Sequence, residues 1–277
     1  MQKIFRKIVP ALMVASCFLA EHSALAQDHA MKMKTPGVLS VAVYNDFAPF
    51  SDHNAGIDID IAKALAAKLG LQLTLLPFPA GDDVNDDLRN MVWKGHYLGY
   101  GPADVMLHVP VEPALIAHND KVVIFSPYLR ESVHLVRDLS KMPTYSNLDS
   151  LTGLKIGVDK ASIGAVLLLG AQDGKFREDV KIYASATEAL EKLKAGEVAG
   201  VIANEAEIES VLKQDARFQM GDISFPMLPR NGWIVGMAVK KENAELREAL
   251  AAATAELIAS GEMARIFASH DVKMVQP

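Results

Sequence analysis

The sequence predicts an α/β protein built on mostly parallel sheet, and three observations carry that expectation. Short β-rich runs alternate with helical runs of apolar periodicity along most of the chain. Glycine or proline ends most of those runs. Near the middle, the strand-like Val122 to Tyr128 and Val133 to Arg137 are joined by polar residues, which reads as a crossing between domains. At 277 residues, 50% hydrophobic and 22% charged, the chain can bury a sizeable core in one or two domains. A formal net charge of −6 without a basic stripe argues against a nucleic-acid partner.

The amino terminus reads as an export signal. Lys3, Arg6 and Lys7 precede the apolar Ile8 to Ala20, and Ala24-Leu25-Ala26 supplies a cleavage site, so residues 1–26 are expected to be removed. Cys17, the one cysteine, lies inside this segment, which leaves no thiol chemistry and no disulfide to the mature chain. Val14 to Cys17 also loosely fits a lipoprotein box, but the apolar run continues past it into the better cleavage signal. No other apolar run approaches the roughly 20 residues of a membrane span.

Val38 to Tyr44 is a strand that ends in a loop carrying Phe47, Pro49 and Phe50. Ile57, Ile61, Leu65 and Leu69 then recur at helical spacing, Asp58 and Asp60 occupy the first turn, and Gly70 closes the helix. Leu71 to Leu76 is a second strand. In the stretch from Asn85 to Pro110, Asn85 is the expected cap of a helix carrying Leu88, Met91 and Val92, with Gly95 as its stop. A glycine- and tyrosine-rich loop from His96 to Pro102 follows, and then an apolar strand, Ala103 to Leu107, with His108 at its carboxyl end. Ligands of open α/β sheets bind at such ends, so His108 is the first site candidate. Beyond the crossing come the strand Lys155 to Asp159, a helix from Ser162 to Leu169, and a strand–helix–strand unit spanning Val180 to Ala203. A helical face with Ile208, Val211 and Leu212 follows, then a return strand, Trp233 to Val239. The helices Asn243 to Ile258 and Glu262 to Ala268 complete the chain.

Blander readings account for several tempting groups. Asp82, Asp83, Asn85, Asp86 and Asp87 offer oxygens to a hard cation, but Leu88 stands where a calcium loop needs glycine, and a solvated helix start explains them. His96, His108, His118 and His134 lack zinc-site spacing. Ser162 with Gly164 is neither a nucleophile elbow nor a phosphate loop. No metal, no cofactor and no catalytic set is expected.

Tyr44 to Gly70, Phe125 to Tyr128, Leu151 to Gly157, Ala189 to Gly196 and Glu245 to Gly261 are similar to the periplasmic solute-binding proteins of family 3, the polar amino-acid type. The resemblance implies a two-lobed periplasmic-binding-protein fold (type II), with a ligand cleft between lobes joined by a two-strand hinge. Residues 31–129 with 232–277 would form lobe one, and 130–231 lobe two. It also implies a cleft lined by Tyr44, Phe47, Phe50, His108, Asn119, Ser126, Ser162, Asn204 and Glu205. More narrowly, Asn85 to Pro110 resembles the J-type binding proteins encoded beside quinoprotein methanol dehydrogenases (MxaJ/XoxJ-like).

Two departures bear on function. An amino-acid binder needs a cation for the carboxylate and an anion for the ammonium. Residues 105–129 contain no arginine, with Ile116 to Asn119 in its place, and the ammonium-binding position falls on neutral Asn204, beside Glu205. The expectation is a wide, weakly charged cleft that takes no common amino acid. The leading reading is a periplasmic, monomeric, non-catalytic protein that assists a quinoprotein (PQQ) methanol dehydrogenase, with its cytochrome c acceptor as a further partner. Docking would occur through Trp93, His96, Tyr97 and Tyr100. A transporter receptor for a small polar solute, with an unidentified ligand in the cleft, is the alternative; an enzyme with a cleft active site is the weaker one.

Overall fold

In the computed structural model, residues 31–81, 83–229 and 231–277 are described. The export segment 1–26 with Cys17, Asp82 of the acidic loop, and Arg230 lie outside the described residues. The chain runs β1 (Val38–Tyr44), a small hairpin of β2 (Asp46–Phe47) and β3 (Ser51–Asp52), α1 (Ile57–Lys68), β4 (Gln72–Phe78), α2 (Val84–Leu88), β5 (Val105–Pro110), α3 (Pro113–His118) and β6 (Val122–Glu131). It continues through β7 (Val133–Asp138), β8 (Ile156–Asp159), α4 (Ile163–Gly170), β9 (Val180–Tyr183), α5 (Ala186–Lys194), β10 (Gly200–Asn204), α6 (Glu205–Leu212), β11 (Phe218–Asp222), β12 (Trp233–Lys240), α7 (Ala244–Ala259) and α8 (Glu262–Ser269).

The strands form two five-stranded sheets, β4-β1-β5-β12-β6 and β11-β7-β10-β8-β9. Each is mostly parallel with a single reversed strand. In the first it is β12, antiparallel to β5 and β6; in the second it is β7, antiparallel to β10 and β11. The reversed strand is in both cases the one that enters directly from the other sheet. Ser132 separates β6 from β7, and Gly232 directly precedes β12, so both crossings lie side by side, with Trp233 paired to Glu131.

Local chemistry explains where the elements start and stop. On α1, Ile57, Ile61 and Leu65 are fully buried, as an amphipathic stripe requires, and Asp58 is buried with them. Asp83 caps α2, accepting from the Asn85 and Asp86 amides, so the expectation of Asn85 as cap is corrected by two residues. Asn85 instead accepts from Asn119 at 2.7 Å. Leu88 leads without a break into a π-helical turn, Arg89–Trp93, and the chain then leaves the helix at Gly95. Among the described residues no helix is long and apolar enough to cross a membrane.

Candidate functional site

Two facing irregularities aim His108 inward. Between β5 and β12 the register slips so that Leu107 and His108 stand opposite Met237 alone. Between β12 and β6 it slips again, so that Ser126 to Tyr128 face Gly236. A Cβ at Gly236 would lie 2.5 Å from the Phe125 carbonyl oxygen, so only glycine lets the bulged strand close. His108 and Ser126 both take positive φ, 60° and 49°, a conformation that costs a non-glycine residue on the order of 1–3 kcal/mol.

The side chain that this backbone holds is almost fully buried and bonded on both ring nitrogens. His108 Nδ1 lies 3.0 Å from Asp58 Oδ2, and Nε2 lies 3.0 Å from Glu131 Oε2. Tyr128 donates its hydroxyl to Asp58 and accepts the His108 amide, each at 3.1 Å. Trp233 Nε1 donates to Glu131 at 3.1 Å, and Asn204 Nδ2 reaches the other Glu131 oxygen at 3.4 Å. One network thus ties α1 and the strands β5 and β6 of the first sheet to the end of β10 in the second. Burial opposes charge on the imidazole, but Asp58 and Glu131 override it and push His108 up to about 10. Burial also pushes Glu207 up to about 8, against the amide of Asn204 that its carboxyl accepts at 2.8 Å. At neutral pH the centre therefore holds an imidazolium between two carboxyl groups, with Glu207 beside it protonated.

Aromatic rings seal this centre. Phe47 meets the His108 ring edge-on at 4.9 Å, and Phe50 lies 4.3 Å from it. Phe50 is fully buried, so it packs the network and lines no open cleft. The expected weakly charged cleft is thereby corrected: the polar centre at His108 is strongly charged and closed over by the chain itself.

The other expected cleft residues are dispersed. Tyr44 turns its hydroxyl to Asp87 at 3.1 Å, and burial together with that carboxyl raises its pKa well above the usual phenol value. Asn119 caps α3 and bonds Asn85 and the Leu115 carbonyl, apart from His108. Ser162 caps α4, accepting from Ala165 N at 3.1 Å and donating to the Asp159 carbonyl. Glu205 faces the crossing, where Ser132 Oγ lies 3.3 Å from its carboxyl and 2.8 Å from His134 Nε2. Four members of the network, Asp58, Tyr128, Glu131 and Trp233, were missed from the sequence. Asp58 carried a signal: it shares the α1 stripe with Ala62 and Leu65, and a carboxyl on an apolar face needs a partner. Among the described residues, no group of three or more His, Cys, Asp or Glu is arranged to hold a metal ion.

The loop from His96 to Pro102 has the opposite character. His96 stacks on Tyr100 at 4.2 Å and meets Tyr97 at a tilt at 4.3 Å. Tyr97 is 88% exposed and Leu98 69% exposed. The loop is braced internally, His96 N to Tyr100 O and Gly99 N to His96 O at 2.9 Å each. Gly101 takes positive φ where a Cβ would meet the Asn90 carbonyl at 2.6 Å. Trp93, by contrast, is half-buried against the core beneath β5 and belongs to the loop's footing.

No protein-family model matches the chain. Over 83 residues it is 39% identical to a cyclohexadienyl dehydratase of Pseudomonas aeruginosa, a match that covers 28% of this chain and 31% of that enzyme. Among solved structures it is similar to an ancestral cationic amino acid solute binding protein (TM-score 0.63, 19% identity, 84% of this chain and 95% of that one). It is also similar to an amino acid ABC transporter substrate-binding protein from Streptococcus pneumoniae bound to L-arginine (0.61, 20%, 86% and 96%). An ancestral arginine-binding protein bound to glutamine aligns at 0.58 with 26% identity, over 85% and 98%. The chain has the mixed α/β, two-lobed fold of these amino-acid-binding proteins.

Proposed function

We propose that this chain is a periplasmic, non-catalytic member of the solute-binding fold that assists a quinoprotein methanol or alcohol dehydrogenase in maturation, activation or assembly with its cytochrome c acceptor. The observation that carries this reading is the sealed centre. With lobe one taken as 31–129 plus 232–277 and lobe two as 130–231, His108, Asp58, Glu131 and Asn204 satisfy one another across the crossing. Both imidazole nitrogens are engaged and Phe47 and Phe50 cover the ring, so no opposed charges remain there for a zwitterion. The exposed loop supplies a surface for a protein partner, and the resemblance of Asn85 to Pro110 points to the dehydrogenase.

A second reading has its own support. The similar solved structures are solute-binding proteins for amino acids, and by themselves they favour a transporter receptor for a small polar solute. An enzyme is supported only by the dehydratase match over about a third of that protein. One pair of measurements separates the readings. Capture of periplasmic proteins by the mature chain should retain the dehydrogenase, while a thermal-shift screen with amino acids shows nothing. A true solute at a hundred times its Kd would add about 2.7 kcal/mol and shift the melting point visibly. Such stabilisation by an amino acid, with no dehydrogenase retained, would hand the site to the receptor reading.

A further inference from the structure

Beside the sealed centre, an open groove of about 380 Å³ runs along the crossing between Val111 to Ala114 and the Gly232 to Ile234 segment. Its volume falls in the roughly 300–1,000 Å³ range of small-molecule sites. Val111, Pro113 and Ile234 give it apolar walls, Trp233 adds the indole, and Arg130 and Glu112 are its charged residues. Arg130 is half-buried and makes no ion pair among the described residues; its one side-chain hydrogen bond there goes to the Asn231 carbonyl at 3.2 Å. Arg130 lines this groove and also the small pocket beside it that Glu131 and Glu205 line, and a guanidinium with donors left over beside apolar walls favours an anion. Glu112 is exposed and stands at the start of α3, where water screens it.

We infer that this groove is a binding site for a small monocarboxylate with an apolar body. The carboxylate takes the free donors of Arg130, and the apolar body lies along Trp233, Val111 and Ile234. Arg130 falls one position past the arginine-free window that argues against amino-acid binding, so the chain retains a carboxylate anchor while its ammonium position stays neutral at Asn204. Because Trp233 also donates to Glu131, an occupant of the groove rests on the same indole that braces the His108 network. The inference holds whichever partner the protein serves, and its test involves no dehydrogenase.

The experiment is isothermal titration of the mature protein with phenylacetate and with phenylacetamide, an isosteric pair that differs in charge. Phenylacetate should bind about tenfold more tightly or better, the range expected when a charge-assisted hydrogen bond replaces a neutral one. Raised salt should narrow the gap. Arg130→Gln should erase it while leaving the amide's affinity unchanged, and Arg130→Lys, which keeps the charge but loses the fork, should fall between. Equal affinity for the two probes, no heat from either, or an undiminished preference in Arg130→Gln would overturn the inference. So would tighter binding of L-phenylalanine than of phenylacetate, since Glu112 would then be serving an ammonium group.

Discussion

The centre at His108 and the loop at His96 to Pro102 lie close together on the chain, both are rich in rings, and they are built in opposite ways. At His108 every ring nitrogen and both neighbouring carboxyls have protein partners, and two phenyl rings exclude water. In the loop the backbone braces itself and the rings stack on one another, yet Tyr97 and Leu98 face solvent. Buried, fully satisfied polar groups hold a structure in one arrangement, and removing one leaves its partners stranded. Exposed aromatic carbon adds little to folding and much to association. On the proposed reading the first region serves stability and the second recognition, and substitutions can force the two apart.

The largest effect is expected at the centre. His108→Ala leaves Asp58 and Glu131 buried without their shared cation, a loss on the order of 3–5 kcal/mol. For a chain of this size that lowers the melting temperature by about 10 °C or more. The pH dependence carries its signature. The folded imidazole, at about 10, stands above its ordinary value of about 6.5. Its contribution is therefore fully present below about 6.5 and lost as pH rises through about 10. Glu207, at about 8, keeps a proton that the unfolded chain releases near 4.5, so it lowers stability in the same direction, between about 4.5 and 8. Urea unfolding at stepped pH should show stability falling from pH 7 to 10, and His108→Gln should keep only the part below pH 8. A wild-type profile that is flat over that interval would mean that the imidazole is neutral and the centre no ion network.

A smaller effect sharpens the comparison at the loop's own foot. Asp104, buried just past the loop, accepts from Ser40 N and Lys34 N at 2.9 Å each and from the Ser40 hydroxyl. Asp104→Ala strands these donors and should cost about 2 kcal/mol. Chemical denaturation measures the loss, and partner capture, assayed well below the melting temperature, should be unchanged. Weakened capture would show that the foot reaches the docking surface.

What was legible in the sequence follows the same division between burial and exposure. The strand Val38–Tyr44 stands where its β-branched run puts it, because a strand that packs on a core carries its own pattern. The helix Pro113–His118 buries no residue and the strand Phe218–Asp222 is mostly exposed, so neither left an apolar period to read. The two-residue strands β2 and β3 are too short to have one. At the site, His108 was expected at the end of a strand, but β5 runs on to Pro110 and His108 lies inside it, turned by the bulge. Its partners Asp58 and Glu131 lie 50 and 23 positions away, and only the sheet order and the two bulges bring them together.

The finest test removes the loop's rings. Tyr97 is almost free of the fold, while Tyr100 at 36% exposure shares its stack with His96, so truncating both should remove contact area without opening a cavity. Tyr97→Ala with Tyr100→Ala should change stability by no more than about 0.5 kcal/mol, a shift of about 1–2 °C, with most of it from Tyr100. Capture of the dehydrogenase should weaken about 30-fold if the pair acts as a binding hot spot of about 2 kcal/mol. The single Tyr97→Ala should carry most of that loss, since its ring is the more available to a partner. A double mutant that melts several degrees lower would mean that the rings support the fold. One that keeps both its melting point and its capture would move the docking surface away from the loop, and only a separation of the two readouts leaves recognition at Tyr97 and Tyr100.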